Sequence, residues 1–470
     1  MLNIVAILKE KLGAEKVLGP EDIKDRYTHI WTMDVPLQAK AVVLPRSTQD
    51  VSDIMKICHS HQQPVVVHGG LTNLVGSTET HPDEVVIAME KMTDILEIDE
   101  QSRTMIVQSG VILENIQQGA SRKNLLFPLN FGAKGSAQIG GIISTNAGGL
   151  RVFRYGMTRN LVLGLEAVLA DGTIISSLKK IIKDNSAYDL KQLFIGSEGT
   201  LGVITKAVLK LVEAPKSRTT AFVAFNDYEK VISFLKYMDQ NMAGTLSGFE
   251  LIWGNSYQLM TSPPASQKPP LPHGFNYYVL LEGLGANPER DQQLLEDLLA
   301  EAFEKEMIED AAIATSESDL EWFWKVREDV HVISSQCNHD QHFDISLPIP
   351  LIGETVESIT KELHSIPEVE KAFAFGHVAD GNIHFIVGKT EHTPAVIQAI
   401  NEAVYSPLKT LGGSVSAEHG IGLHKKAYLS LCRTEEEIGL MKQLKMAMDP
   451  LGILNRGKVL DVALATMIEK

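Results

Sequence analysis

Two short stretches of this chain place residue types that can do chemistry close together. In GHVADGNIH, His377 and His384 flank an Asp-Gly-Asn turn signal, and a loop-to-strand run of this kind can aim both imidazoles at one ion. A histidine on an apolar strand is more often a satisfied core residue, so the pair is weak evidence by itself. SAEHGIG adds Glu418 and His419 in a glycine-flanked turn, a carboxylate and a second candidate base. Two imidazoles and one carboxylate with a position left open suit a catalytic Zn²⁺ or a similar ion. Asp380 and Asn382, between the two histidines, could orient them or reach a cofactor, and turn formation accounts for Asp380 at least as well.

Two glycine-bearing segments suggest what else is held. HGGLTNLVGST follows an apolar run, and successive backbone N–H groups around Gly69, Gly70 and Gly76 can converge on a phosphate oxygen. An ordinary turn-rich loop is the other reading. The spacing is neither GxGxxG nor GxxxxGK with a hydroxyl residue after it, so neither a Rossmann nor a P-loop site is indicated. A second segment, KGSAQIGGIISTNAGG, brings further backbone donors with Ser136, Ser144 and Asn146, and two such loops suit a dinucleotide pyrophosphate.

The elements that must position these residues read as a mixed α+β chain of more than one domain, since 470 residues exceed one ordinary core. A helix is expected over about residues 3 to 14, AVVLP reads as a short buried strand, and Ser47 or Thr48 caps the helix VSDIMKICHSH. PVVVH, EVVIAM, ILEID and TMIVQSG read as strands, and LVLGLEAVLADGTII as a hairpin about Asp171-Gly172. The glycine-dense stretch from Phe131 to Gly156 reads as an ordered loop packed on a ligand. A boundary falls in EAPKSRT. Beyond it AFVAF, GFELI, YYVLLEG, FDISLPI and IHFIVG alternate with helical patterns, as in an antiparallel sheet with helices on one face.

Bulk composition narrows the function. With 43 Lys plus Arg against 59 Asp plus Glu, the net charge of −16 opposes nucleic-acid binding. No apolar run approaches the ~20 residues of a membrane span. Cys58, Cys337 and Cys432 share no CxxC spacing, so a disulfide framework and a thiolate metal site are both disfavoured and a reduced setting is expected. In MLNIVAILKEKLG the lysines follow the apolar part, the wrong order for a secretory signal, and the protein reads as cytoplasmic.

GAKGSAQIGG, TNAGGLRVFRYG, GLEAVLADGT, KDNSAYDLKQLFIGSEGTLGVIT, GHVADGNIH, SAEHGIG and DPLGILN occur in one order along nearly the whole chain. In these runs the chain resembles the FAD-linked oxidases of the vanillyl-alcohol oxidase and p-cresol methylhydroxylase superfamily, and within it the D-2-hydroxyglutarate and D-lactate dehydrogenase branch. The resemblance implies an FAD domain in two subdomains over residues 1–214, an inserted antiparallel-sheet substrate domain over 215–415, and a C-terminal return over 416–470. It implies that Gly69, Gly70, Thr72 and Asn73 hold the pyrophosphate, that Pro128, Gly135, Ser136, Gly140, Gly141, Asn146, Gly148 and Gly149 line the second loop, that Ile204 lies near the adenine, and that Asn382 reaches the cofactor. Leu71 stands where members with covalent flavin have histidine, so FAD is expected to be non-covalent. His377, His384 and Glu418 become the ligands of a divalent metal, His419 the catalytic base, and Arg327 the partner of the substrate carboxylate.

The match breaks at three pocket positions. His342, His331 and Ile386 stand where the 2-hydroxyglutarate branch has Lys, Thr and Asn, which weakens the case for a distal carboxylate on the substrate. The implied activity is oxidation of a D-2-hydroxy acid to the 2-oxo acid. The alternatives are an oxygen-using oxidase of the same fold and a catalytically silent flavin-binding electron-transfer subunit. The electron acceptor, an electron-transfer flavoprotein or a quinone, leaves no trace in the sequence, and a homodimer is compatible with it.

Overall fold

The computed structural model describes residues 3–23, 25–31 and 33–462, so Met1 and Leu2 of the N-terminal stretch and residues 463–470 of the expected C-terminal segment lie outside it. Among the described residues two compact units are present: 3–148 with Met157–Ala214 and 418–462, and Gly149–Gly156 with Pro215–Ala417.

In the first unit β1 (Val17–Leu18), β2 (Ala41–Val43), β3 (Val65–His68) and β4 (Val85–Ala88) form a sheet in the order β1-β2-β4-β3, with β4 parallel to both β2 and β3. The parallel strands are buried on both sides, which is why AVV and VVIA are continuous apolar runs rather than alternating ones. The helix Thr48–Ser60 makes the crossover from β2 to β3; Ser47 Oγ caps it by accepting from Asp50 N at 3.1 Å. Its buried Val51, Ile54, Met55 and Cys58 recur at helical spacing and share a core with Leu8 of the helix Ile4–Leu12, Val43, Val65 and Val85. Ile453 and Leu454 belong to the same core, and Leu454 bridges Val65 in parallel, so the chain's last part completes this sheet.

Next come β5 (Ile95–Asp99), β6 (Thr104–Gln108), β7 (Leu125–Leu126), β8 (Val162–Val168), β9 (Ile174–Ser177), β10 (Val203–Lys210) and β11 (Val212–Glu213). Five of these form an antiparallel sheet in the order β5-β6-β10-β8-β9, and β7 pairs with β11. The β8–β9 turn uses Gly172 at φ +84°, as Asp-Gly hairpins require. The glycine-dense stretch is not loop throughout: its apolar IGGIIST forms the helix Ile139–Thr145, which Asn146 ends in the left-handed conformation at φ +51°.

The second unit is a seven-stranded antiparallel sheet of β12 (Ser217–Phe225), β13 (Leu246–Trp253), β14 (Tyr277–Gly285), β15 (Asp310–Ile313), β16 (His339–Ser346), β17 (Val369–His377) and β18 (Asn382–Lys389), ordered β15-β12-β14-β13-β17-β18-β16. Helices cover both faces, not one. Phe222, Ile252, Tyr278, Phe375 and Ile386 pack with Leu320 and Phe323 of the helix Glu317–Glu328 on one side. On the other, Phe225 and Phe249 meet Phe234 of the helix Tyr228–Asn241. Alternation along a strand conceals this, because residues of both parities are apolar when both faces are covered.

Candidate functional site

In the first unit, β3 runs into a loop that lines a cavity of about 320 Å³. Among the described residues, the backbone N–H groups of Gly69, Gly70, Leu71 and Thr72 find no acceptor in the chain, so four consecutive donors stand ready for an anion. The two glycine segments pack backbone on backbone here, since a Cβ on Gly70 would stand 2.1 Å from Ser136 O, and Gly140 lies against Ser109, where a Cβ would stand 2.7 Å from Ser109 Cβ. Gly141 has nothing within 4 Å of where its Cβ would be, and it faces the cavity. Asn73 stitches the loop from within, accepting from Ser77 N at 3.0 Å and donating to Thr78 Oγ1. These features fit a pyrophosphate-bearing cofactor.

Of the residues expected to hold FAD, Gly69, Gly70, Thr72, Asn73, Gly140, Gly141, Gly148 and Ile204 line the cavity. Pro128, Gly135, Ser136 and Asn146 stand outside that lining: Ser136 backs onto Gly70, and Asn146 accepts from Arg159 N at 2.9 Å as part of its helix end. Gly149 and Asn382 belong to the second unit. Glu418 and His419 line the cavity as well, together with Trp31, Gln138, Glu198 and Asn455, which the sequence reading did not single out. Trp31 Nε1 donates to Thr72 O at 3.0 Å.

The second unit places the histidine pair. GHVADGNIH is a β-hairpin whose turn ends on Gly381 at φ +86°, and the register sets His377 opposite Asn382 and Phe375 opposite His384. His377 and His384 are therefore diagonal neighbours on one face. Their Nε2 atoms lie 3.5 Å apart, close to the ~3.3 Å that two ~2.05 Å metal bonds at a tetrahedral angle would subtend. Behind them Glu250, fully buried on β13, accepts from His377 Nδ1 at 2.7 Å through Oε1. Its Oε2 takes Arg327 Nε at 3.0 Å and Nη2 at 2.8 Å. A carboxylate oxygen accepts, so Nδ1 is the donor in this bond and Nε2 is the ring nitrogen turned toward His384.

Arg327 is 4% exposed and lies over the Phe375 ring at 5.0 Å, so its Nε and Nη2 edge is committed to Glu250. Asp344, on β16 opposite His384, accepts from Asn382 Nδ2 at 2.8 Å and from Ala417 N at 3.1 Å. Asn382 is thereby a strut for Asp344, and its Oδ1 is buried without a hydrogen bond to any described residue. Asp380 accepts from Asn382 N at 3.1 Å; burial pushes its carboxyl up to about 6, against the pull of His377. Farther along the same face, Ile386 is 1% exposed among Phe373 and Phe375. His342, opposite Ile386, is exposed, and its Nε2 lies 2.8 Å from Asp340, whose carboxyl it holds well below the usual range. His331 is exposed at the start of the helix His331–Ser335.

Comparison with known proteins gives a match to FAD linked oxidases, C-terminal domain, over residues 214–459 and to an FAD binding domain over residues 39–177. The D-2-hydroxyglutarate dehydrogenase of Arabidopsis thaliana, named as mitochondrial, is 36% identical over 97% of this chain and 81% of its own length. A Schizosaccharomyces pombe protein named, provisionally, as a mitochondrial D-lactate dehydrogenase is 38% identical over 94% of this chain and 85% of its own length. In fold, the chain is similar to p-cresol methylhydroxylase, with a TM-score of 0.73 at 15% identity over 97% of this chain and 96% of that one. The relatives' names overturn the expectation of a cytoplasmic protein. The three cysteines are free. No helix among the described residues is long and apolar enough to cross a membrane.

Proposed function

Because this chain belongs to the FAD-linked oxidase family, we propose that it is an FAD-dependent dehydrogenase that oxidises a D-2-hydroxy acid to the 2-oxo acid, with His377, His384 and Glu418 holding a divalent metal and His419 as base. The observation that carries the metal reading is the 3.5 Å pair of imidazole nitrogens backed by Glu250. When bound, FAD supplies a two-electron acceptor and the divalent ion a Lewis acid for the substrate oxygens.

The chain's own residues supply the rest. By accepting from Nδ1, Glu250 orients the His377 ring so that Nε2 is the nitrogen that meets the cation. Glu418 follows directly on Ala417, whose N–H is tied to Asp344 at 3.1 Å, and adds the charge that two neutral imidazoles lack. Of the two hydrogens that such an oxidation removes, His419 takes the hydroxyl proton, a task suited to a group that exchanges protons near neutral pH. Its place in the wall of the cofactor cavity supports that role. The dehydrogenase reading, over an oxygen-using oxidase, follows the names of the relatives.

The substrate's tail is read from the far end of the sheet face. His342 is paired with Asp340, and Ile386 is an apolar side chain buried in the core, so neither position offers a second carboxylate a fixed cation or an amide. This favours a short or apolar tail such as that of lactate. Steady-state turnover with matched D- and L-2-hydroxy acids tests the reading. D-lactate or a similar D-acid should be oxidised with kcat/KM at least about 10-fold above D-2-hydroxyglutarate, equivalent to about 1.4 kcal/mol, and L-acids should be inert. Inertness of every D-acid contradicts the function; a clear preference for the diacid contradicts the tail assignment alone.

A further inference from the structure

The segment bearing Glu418 and His419 has no helix or strand to hold it. What fixes its downstream end is Glu198, in GSEGTLG, buried at 6% exposure with its backbone in the left-handed region at φ +51°. The carboxylate accepts three hydrogen bonds. Oε1 takes Ile421 N at 2.7 Å, and Oε2 takes Gly422 N at 2.9 Å and Ser77 Oγ at 2.7 Å. The residue is itself tied down, donating from its N–H to Ser144 O at 2.8 Å and accepting at its carbonyl from Asn455 Nδ2 at 2.6 Å.

Glycine makes the approach feasible. Gly420 and Gly422 adopt φ +87° and +51°, and a Cβ on Gly420 would stand 2.9 Å from Glu198 Cδ. Just beyond, Leu423 N and His424 N both donate to Val75 O, at 2.9 and 3.1 Å, so the turn is latched to the cofactor loop. Upstream, Asp344 holds Ala417 N. Glu418 and His419 thus lie in a short run between one buried carboxylate anchor and another. Burial pushes the Glu198 carboxyl up, while the three donors and Lys425 pull it down.

We propose that Glu198 is a positioning residue for the oxidation: by gripping the amides of Ile421 and Gly422 it sets the backbone from which His419 faces the cofactor cavity. The inference rests on the reading of His419 as the base. A carboxylate is needed because two successive N–H groups require an acceptor at each oxygen; a glutamine would turn its NH₂ toward one of them. A misplacement of about 1 Å in a catalytic group can cost on the order of 100-fold in rate.

The test uses the holoenzyme with Glu198→Gln, Glu198→Asp and His419→Ala side by side, measuring flavin content, kcat, KM and the pH profile of kcat. Glu198→Gln should keep its FAD and hold KM within about 3-fold while kcat falls about 10- to 100-fold. The acid limb of its pH profile should move to higher pH, as solvent hydroxide replaces a displaced base. Glu198→Asp, too short to reach both amides, should fall between, and it carries the test if the glutamine variant does not fold. Loss of activity in proportion to loss of FAD, or a raised KM with kcat and pH profile unchanged, overturns the proposal. If His419→Ala stays active, the base assignment fails; if it is dead while Glu198→Gln behaves as wild type, only the positioning role fails.

Discussion

Glu250 spends its two oxygens on different partners, Oε1 on His377 and Oε2 on Arg327, and is fully buried in doing so. Desolvating a carboxylate costs several kcal/mol, which the guanidinium and the imidazole N–H offset. In Glu250→Gln the amide can serve only one of the two donors well. Affinity for a divalent ion should fall about 10- to 100-fold, read by competition with a chromophoric chelator. Unchanged affinity would mean that the His377 ring is oriented by something else. His384→Ala removes a proposed ligand outright and should lose metal while FAD absorbance persists; full metal content in that variant would remove His384 from the site. Neither Glu250 nor its pairing with Arg327 was legible in the sequence, because GFELI reads as an ordinary strand and its partner His377 is 127 positions away. Arg327 stood out by family position alone. Its fork faces Glu250, which only the fold reveals.

The elements show why the glycine loops and the hairpin could be read early. PVVVH ends on paired glycines, and the N–H groups over Gly69–Thr72, left without acceptors among the described residues, follow from a backbone that leaves its strand without joining another element. Gly70→Ala would drive a Cβ into Ser136 O, so the two loops must part. The variant should lose on the order of 1–3 kcal/mol of stability and most of its bound FAD, seen in thermal unfolding and in the visible spectrum. Wild-type FAD content would show that the two loops need not touch. His68, the last residue of β3, is buried with Nε2 donating to Thr78 O at 2.9 Å, and burial lowers its pKa to about 4. The unfolded chain takes up this proton near pH 6.5 and the folded chain does not until about pH 4. Its contribution to stability is therefore whole above pH 6.5 and falls by up to about 1.4 kcal/mol per pH unit down to about 4. His68→Gln should flatten the fall of Tm over that window; an unaltered slope would exclude His68 as its source.

At the scale of the molecule, the α+β class and the antiparallel second sheet followed from strand-like runs and their turn signals. The two-sided cover of that sheet did not, since helices on both faces erase the alternation that marks a solvent side. Gly149–Gly156 goes with the second unit although it continues the glycine-dense stretch of the first, a placement that composition does not encode. Cysteine spacing and the order of charge in the N-terminal stretch do not encode the compartment, which is why the cytoplasmic expectation failed against the relatives' names. The anaerobic absorbance of the bound flavin, followed on adding a D-2-hydroxy acid before and after chelation of the metal, tests the whole account most directly. Bleaching before chelation, its loss afterwards, and its return with one divalent ion per chain is the predicted result. Bleaching that survives complete removal of the metal, or none at all from protein carrying both FAD and metal, would contradict it.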